Sequence, residues 1–332
     1  MSAPENAFPE AAADQNKVKI PLVVILGPTA VGKTTIAIQL AEKLNGEIIS
    51  ADSRLFYRGM DIGTAKPTQQ DQLRVVHHLI DIANPDETIS LGLFQQKAIK
   101  AIQNVYDHHH LPFLVGGTGQ FLRSIIEGWQ IPPVAPNLNL RQALHRWGMK
   151  QGADLLHEKL AILDPMAAKT IDPSNLRRTI RALEVILTTG KRFSEQKRRG
   201  HQAYDTLLVG LTLAREGLYR RIDERIDRMI KTGFIEEVGH LLELGYSPDL
   251  PTFTAIGYGE LIAYIQGNIT LDEAIVLIKR RTRNFVRRQA NWFKLTDPEI
   301  QWFDVSMNEM GNIERLIISK LKNRLSELPV KL

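Results

Sequence analysis

The sequence predicts an α/β fold: a parallel sheet flanked by helices and interrupted by an all-helical insertion. Three observations predict it. Short apolar runs of strand type alternate with helix-type periodicity from Ile20 to Val115. Past Gln120 the alternation gives way to helical stretches broken by prolines, and at Leu207 a strand-type run returns. The expected layout is a disordered tail over 1–17, a catalytic core over 18–120 and 201–332, and an insertion over 121–200. A chain of 332 residues has room for that arrangement.

The run Ile20-Pro21-Leu22-Val23-Val24-Ile25-Leu26 reads as a buried strand. It opens into Gly27-Pro28-Thr29-Ala30-Val31-Gly32-Lys33-Thr34, which fits G-x-x-x-x-G-K-[ST], and a helical run over 35–44 follows. Strand, loop and helix together make the predicted fold P-loop NTPase-like. The glycines let backbone N–H groups converge on an anion, Lys33 adds a point charge, and the Thr34 hydroxyl is placed to ligand Mg2+. The helix start contributes its positive dipole end. The motif calls for a phosphate-bearing ligand and leaves its identity open.

Glu47 to Ser50 reads as a short strand ending in Ala51-Asp52-Ser53. In a doubly wound sheet the carboxyl ends of neighbouring strands share one crevice, so Asp52 is expected near the phosphate loop. It could serve there as a metal ligand or a base, or simply cap the next turn. Residues 54–67 carry no period and read as an ordered loop, and His77 to Ile82 reads as strand. The His77-His78 pair lacks partners at metal-ligand spacing. Ser90 is placed to cap a helix whose stripe is Phe94, Ala98, Ala101, Ile102 and Val105, and His108 to His110 close it. Leu111 to Val115 is a further strand, and Gly116-Gly117-Thr118-Gly119 is a second glycine-rich turn able to face the same crevice.

Pro132, Pro133, Pro136, Pro165 and Pro173 punctuate the helical insertion. A basic segment running to Gly200 forms an expected mobile connection back to the strand at 207–213. The helix after it places Leu218, Ile222, Ile226 and Met229 on a buried face and Arg221 and Arg225 on one flank. Two helical stretches flank 255–260. A basic helix over 271–294, a last strand at 301–305 and a closing helix over 311–325 complete the chain.

The net charge of +5 is unevenly spread. Residues 177–199 hold eight Lys/Arg against two acids, and 279–294 hold seven against none, so the remainder sums to −8. Such segregation points to a polyanionic partner larger than one phosphate group. No cysteine is present, which excludes disulfides and cysteine zinc sites and suggests a cytoplasmic protein. No run is long and apolar enough to span a bilayer, so no membrane partner is expected.

Several of these segments, in order, are GPTAVGKT, ADSRLFYRGMDIGTAKP, HHLID, LVGGTG, NLRRTIRALEV, LYRRIDERIDRM, AIGYGE and RRQANWFK. On them, from about Val23 to Phe303, the chain resembles the bacterial-type tRNA dimethylallyltransferases, also called tRNA isopentenyltransferases. It departs at Leu55, where many members carry glutamine, and at Gln120-Phe121, where the turn often continues Leu-Tyr.

The resemblance implies transfer of a dimethylallyl group from dimethylallyl diphosphate to N6 of the adenosine beside the anticodon (position 37) of tRNA, by a monomeric enzyme. It implies Asp52 as the base, with Lys33, Thr34 and Arg225 catalytic. Gly27 to Thr34 (Gly27, Pro28, Thr29, Ala30, Val31, Gly32, Lys33 and Thr34), with Arg221, would hold the diphosphate with Mg2+ on Thr34. Asp52, Ser53, Arg54, Leu55 and Thr118 would meet the acceptor nucleotide. Arg141, Arg177, Arg178, Arg181, Ile256, Gly257, Tyr258, Arg287, Arg288, Gln289 and Trp292 would contact tRNA around its anticodon loop. The rival readings are a transferase alkylating free adenine nucleotides, a P-loop kinase for a small metabolite, and a non-enzymatic RNA-binding switch. The basic helices favour a polymeric acceptor, and an acid at 52 between two glycine-rich turns favours chemistry over switching.

Overall fold

A computed structural model describes residues 19–132, 136–196, 203–306 and 310–325. The expected tail at 1–17, and the basic part of the expected connection over 197–202, lie outside the described residues. The elements run β1 (Ile20–Leu26), α1 (Lys33–Lys43), β2 (Gly46–Ser50), α2 (Gln69–Arg74), β3 (His77–His78), α3 (Leu91–Asp107), β4 (Leu111–Gly116) and α4 (Gly119–Ile126). Then come α5 (Leu138–Gln151), α6 (Ala153–Leu163), α7 (Pro165–Thr170), α8 (Leu176–Thr189) and α9 (Phe193–Gln196). The sheet resumes with β5 (Tyr204–Thr212), followed by α10 (Arg215–Lys231), α11 (Phe234–Glu243), a 3-10 turn (Pro251–Thr254), α12 (Tyr258–Ile265), α13 (Leu271–Gln289), β6 (Ile300–Asp304) and α14 (Met310–Leu325).

The strands form one parallel sheet in the order β3-β2-β4-β1-β5-β6. Parallel strands are covered on both faces, which is why β1 and β4 are buried along almost their whole length. β1 lies between β4 and β5, with Leu26 level with both Gly116 and Gly210, while Ser50 of β2 is level with Val115 of β4. All these carboxyl ends therefore open on one edge. Phe56, Phe94 and Phe121 stack beneath that edge, with the Phe94 and Phe121 ring centres 4.2 Å apart.

A second apolar cluster lies in the insertion. Leu156 and Leu160 of α6, Ala167 and Ala168 of α7, and Ile180, Ala182 and Leu183 of α8 bury one another there. The sequence starts this insertion at 121, but Phe121, Leu122, Ile125 and Ile126 of α4 belong to the main core. The helical period alone does not say which core a helix joins.

The strand expected over 77–82 is cut to two residues. Leu79 and Asp81 take φ of 64° and 54°, which bends the chain out of the ladder. Asp81 then reaches the buried ammonium of Lys66 at 2.5 Å, and Lys66 also donates to Tyr57 O at 2.9 Å and pairs with Asp61. The loop over 54–67 is ordered, as expected, and largely by one carboxylate. Glu237 of α11 accepts the N–H groups of Asp61, Ile62 and Gly63 at 2.8, 2.6 and 3.1 Å.

Candidate active site

The phosphate loop leaves β1 through Gly27 (φ 147°), turns at Ala30 (φ 67°) and enters α1 through Gly32 (φ 107°). These positive φ values turn successive amides to one side, the arrangement that binds anions. At Gly27 a Cβ would come 2.5 Å from the Leu211 carbonyl oxygen, so the loop also needs glycine for its close approach to β5. Lys33 Nζ donates to the Pro28 carbonyl at 2.8 Å. Burial pulls the Lys33 pKa down to about 8, opposed by Asp52 and helped by Arg225. The Thr34 side chain stands exposed at the start of α1.

Asp52 follows β2 directly and faces the same centre. Burial lowers the Arg225 pKa and the Asp52 charge raises it, so Asp52 acts on both Lys33 and Arg225. Asp52 also caps its own turn, its Oδ1 accepting the Arg54 N–H at 3.0 Å. Of the readings left open by the sequence, the cap is thus present, and the carboxylate also lies within electrostatic reach of Lys33 and Arg225. Arg221, one turn before Arg225, donates to the Val31 carbonyl at 3.3 Å and braces the loop from α10.

Beside Asp52, the Ser53 N–H points to Thr118 Oγ1 at 3.4 Å. Thr118 is the N-cap residue of α4, yet its hydroxyl does not cap that helix. The Arg54 guanidinium reaches the Thr252 carbonyl at 3.3 Å, and Leu55 is half-buried beside it.

The end of α13 closes on both glycine-rich turns. Gln289 Oε1 accepts the Thr29 N–H at 3.0 Å, and its Nε2 donates to the Gly117 carbonyl at 2.9 Å. The Trp292 ring lies so close over Gly119 that a Cβ there would meet its Cγ at 2.1 Å. Arg123 of α4 donates to the Trp292 carbonyl at 3.1 and 2.6 Å and lies 5.0 Å from the centre of the Phe293 ring.

A cleft of about 1890 Å³ extends from here towards the insertion. Gln120, Phe121, Trp129 and Trp292 line it on the core side, and Arg141, Arg146, Arg177, Arg178 and Arg181 on the other. Arg141 and Arg181 converge on Glu184, whose side chain is 0 % exposed. Arg141 grips it through two bonds of 2.9 Å and Arg181 through one of 2.6 Å. Arg177 and Arg178 are exposed.

Two expected RNA contacts are placed otherwise. Tyr258 is 0 % exposed, stacked on Phe253 with the Phe234 ring edge-to-face against it, and its hydroxyl donates to Glu237 at 2.7 Å. Burial and the Glu237 charge push its pKa up. Gly257 is buried as well, because its φ of 104° and the Phe234 ring against it leave no room for a side chain. Of that segment only Ile256 is partly open, while Arg287 and Arg288 are exposed. Sequence reasoning missed the roles of Gln289, Glu237 and Arg123, since each acts on a segment far away in the chain.

No helix among the described residues is long and apolar enough to cross a membrane. The family described as IPP transferase matches residues 55–296. A tRNA dimethylallyltransferase of Roseiflexus sp. (strain RS-1) is 52% identical over 275 residues, covering 83% of this chain and 90% of that one. One of Thermomicrobium roseum is 47% identical over 291 residues, covering 88% of each. The crystal structure of a full-length tRNA isopentenylpyrophosphate transferase from Bacillus halodurans superposes with a TM-score of 0.68 at 40% identity, covering 93% of this chain and 99% of that one. A eukaryotic dimethylallyltransferase captured acting on tRNA superposes with a TM-score of 0.80 at 27% identity, covering 94% and 81%.

Proposed function

Since the chain belongs to the IPP transferase family, whose curated members are tRNA dimethylallyltransferases, we propose how this transferase acts on tRNA. Dimethylallyl diphosphate is the donor, and N6 of the adenosine beside the anticodon is the acceptor. The observation that carries the reading is the meeting of Asp52, Lys33 and Arg225 at the one edge where the phosphate loop and the Gly117–Gly119 turn also open.

An exocyclic adenine amine is a weak nucleophile, so the allylic carbon must become cation-like before it is attacked. The bond from that carbon to the diphosphate oxygen breaks as the bond to N6 forms, and pyrophosphate leaves. The barrier then depends on how well the site holds charge growing on the leaving group. The loop amides not otherwise engaged (Pro28 has none and the Thr29 N–H is held by Gln289), Lys33 and Arg225 supply that hold, with Arg221 bracing the loop. N6 must lose a proton, and the Asp52 carboxylate takes it. Ser53, Arg54, Leu55 and Thr118 surround the position of the acceptor base, which has to swing out of its loop to enter.

Enzymes of this family use a divalent metal, and the residues present fit Mg2+. Among the described residues no cluster of three acids or histidines forms a cage for an ion. The oxygen donors near the loop are the Thr34 hydroxyl and the Asp52 carboxylate. Mg2+ suits such a sparse set because it keeps several waters and takes its other ligands from substrate phosphates. When bound it would neutralise charge on the diphosphate, held to the protein through Thr34.

For RNA, the exposed Arg177 and Arg178 of α8 and Arg287 and Arg288 of α13 suit phosphate contacts on either side of the cleft. With the helical insertion as a separate tRNA-gripping module, a monomer carries the whole site. A cytoplasmic place of action follows from a tRNA substrate.

The deciding assay incubates the protein with labelled dimethylallyl diphosphate, Mg2+ and either bulk tRNA or AMP. Label is expected in tRNA and not in AMP; label in AMP alone would favour the free-nucleotide reading. Asp52→Ala should lower the rate by about 10²- to 10⁴-fold while tRNA affinity stays within about two-fold. Activity within a few-fold of the parent would remove Asp52 as the base.

A further inference from the structure

Gln289 stands in a basic segment expected to touch RNA, yet both ends of its amide are engaged inside the protein. Its carbonyl holds the Thr29 N–H of the phosphate loop, and its NH2 group holds the Gly117 carbonyl of the second glycine-rich turn. The fit is tight as well as bonded, because a Cβ on Gly117 would come 2.5 Å from Gln289 Nε2. Neighbouring contacts fix the side chain's own position. Trp292 packs on Gly119, and Arg123 holds the Trp292 carbonyl, so the helix end is anchored to α4.

We infer that Gln289 is a positioning residue for the donor rather than an RNA contact: it pins the phosphate loop to the acceptor-side turn and sets the shape in which the loop meets a diphosphate. The inference rests on the reading of this loop as the diphosphate cradle. A loop built on positive φ values at Gly27, Ala30 and Gly32 has no regular backbone ladder to hold it. Part of its order must come from outside, and the Thr29 amide is where α13 supplies it. Because the same helix end carries Arg287 and Arg288 on its exposed side, the cradle and the RNA-facing surface share one support.

The test compares the parent with Gln289→Ala in three measurements: binding of inorganic pyrophosphate with Mg2+ by calorimetry, donor KM and kcat, and tRNA affinity by filter binding. Pyrophosphate affinity should weaken and donor KM rise by at least about tenfold, with tRNA affinity within about two-fold. Loss of folded protein would lower apparent kcat and leave KM alone, so the split separates positioning from stability. Gly117→Ala crowds the same amide and should imitate Gln289→Ala. The two changes together should cost little more than either alone, as expected for residues in contact. Weaker tRNA binding with unchanged pyrophosphate binding, no change in either, or fully additive effects would each overturn the inference. If the parent transfers no dimethylallyl group while pyrophosphate binding still depends on Gln289, the reaction assignment fails and the clamp stands.

Discussion

The two arginine-rich helices look alike in sequence and are put to different uses. On α13, Lys279 pairs with Asp227 at 2.6 Å, Arg281 with Glu260 at 2.8 Å and Arg283 with Asp223. Those acids lie on α10 and α12, so much of the helix's charge is spent binding it to the catalytic core. Arg280 midway along it, and Arg287 and Arg288 at its far end, present exposed cations that meet no carboxylate among the described residues. On α8 the order is reversed: the exposed pair, Arg177 and Arg178, comes first, and Arg181 turns inward with Arg141 onto Glu184. A count of charge along the chain registers both windows as surfaces for a polyanion. What each presents depends on where the acids of other segments come to rest.

Breaking the insertion's buried centre should have the largest effect. Glu184→Ala removes the partner of two arginines and of the Asn137 N–H, which is bonded at 2.7 Å. Losing one side of a fully buried pair costs about 3–5 kcal/mol. Because Arg141 and Arg181 are about a third exposed, about 2–3 kcal/mol is expected. Hydrogen exchange should show the loss in α5 to α8, and pyrophosphate binding at the core should persist. Equal loosening of the sheet would mean that the two cores do not unfold separately.

The exposed ends test the other half of the contrast. Arg287→Ala with Arg288→Ala should weaken tRNA binding by about tenfold and flatten its dependence on log salt by about 1–2 units, with stability unchanged. An unchanged slope would turn this helix end away from the RNA. Arg281→Ala, by contrast, should leave the salt slope alone and cost about 1 kcal/mol of stability, because Glu260 stays buried with only the Gly257 N–H.

The smallest effect is on acid stability. Burial alone would raise the Glu184 carboxyl, but hydrogen bonds from Arg141, Arg181 and the Asn137 N–H hold it below the usual glutamate range. Asp164 is likewise lowered, its burial outweighed by bonds from the Ser194 and Ala167 N–H groups and the Ser194 hydroxyl. A depressed carboxyl contributes stability that is complete above its unfolded pKa, about 4, and is lost as pH falls through the folded value. The insertion should therefore loosen below about pH 4, and Glu184→Gln should blunt that acid sensitivity in a pH series of thermal melts.

Much of this molecule is legible from local pattern. The strand, glycine loop and lysine of 20–34 announce their geometry because every part of the motif is contiguous. So does the helical insertion, whose helices start at side-chain caps such as Asn137, Asp164 and Asn175. What stays hidden involves partners distant in sequence. Tyr258 sits between two helical stretches in a segment expected to touch RNA, and only the arrival of Phe234, Phe253 and Glu237 buries it. The shortened β3 has the same origin, since the turn at 79–81 is tied down by Lys66, which the local apolar run does not reveal. Gln289 is one glutamine among arginines until the fold sets its amide between two loops.

The insertion leaves the sheet after β4 and returns to it at β5, and these are the two strands on either side of β1. The two attachments lie at opposite edges of the sheet: β4 ends at Gly116, level with Leu26 where the phosphate loop begins, and β5 starts at Tyr204, level with Ile20 at the start of β1, so about 20 Å of strand separates them. Any tug on the appendage, from a transfer RNA lodging against it or leaving, is therefore passed to the two neighbours of β1 at its opposite ends, and only the β4 attachment lies level with the phosphate loop.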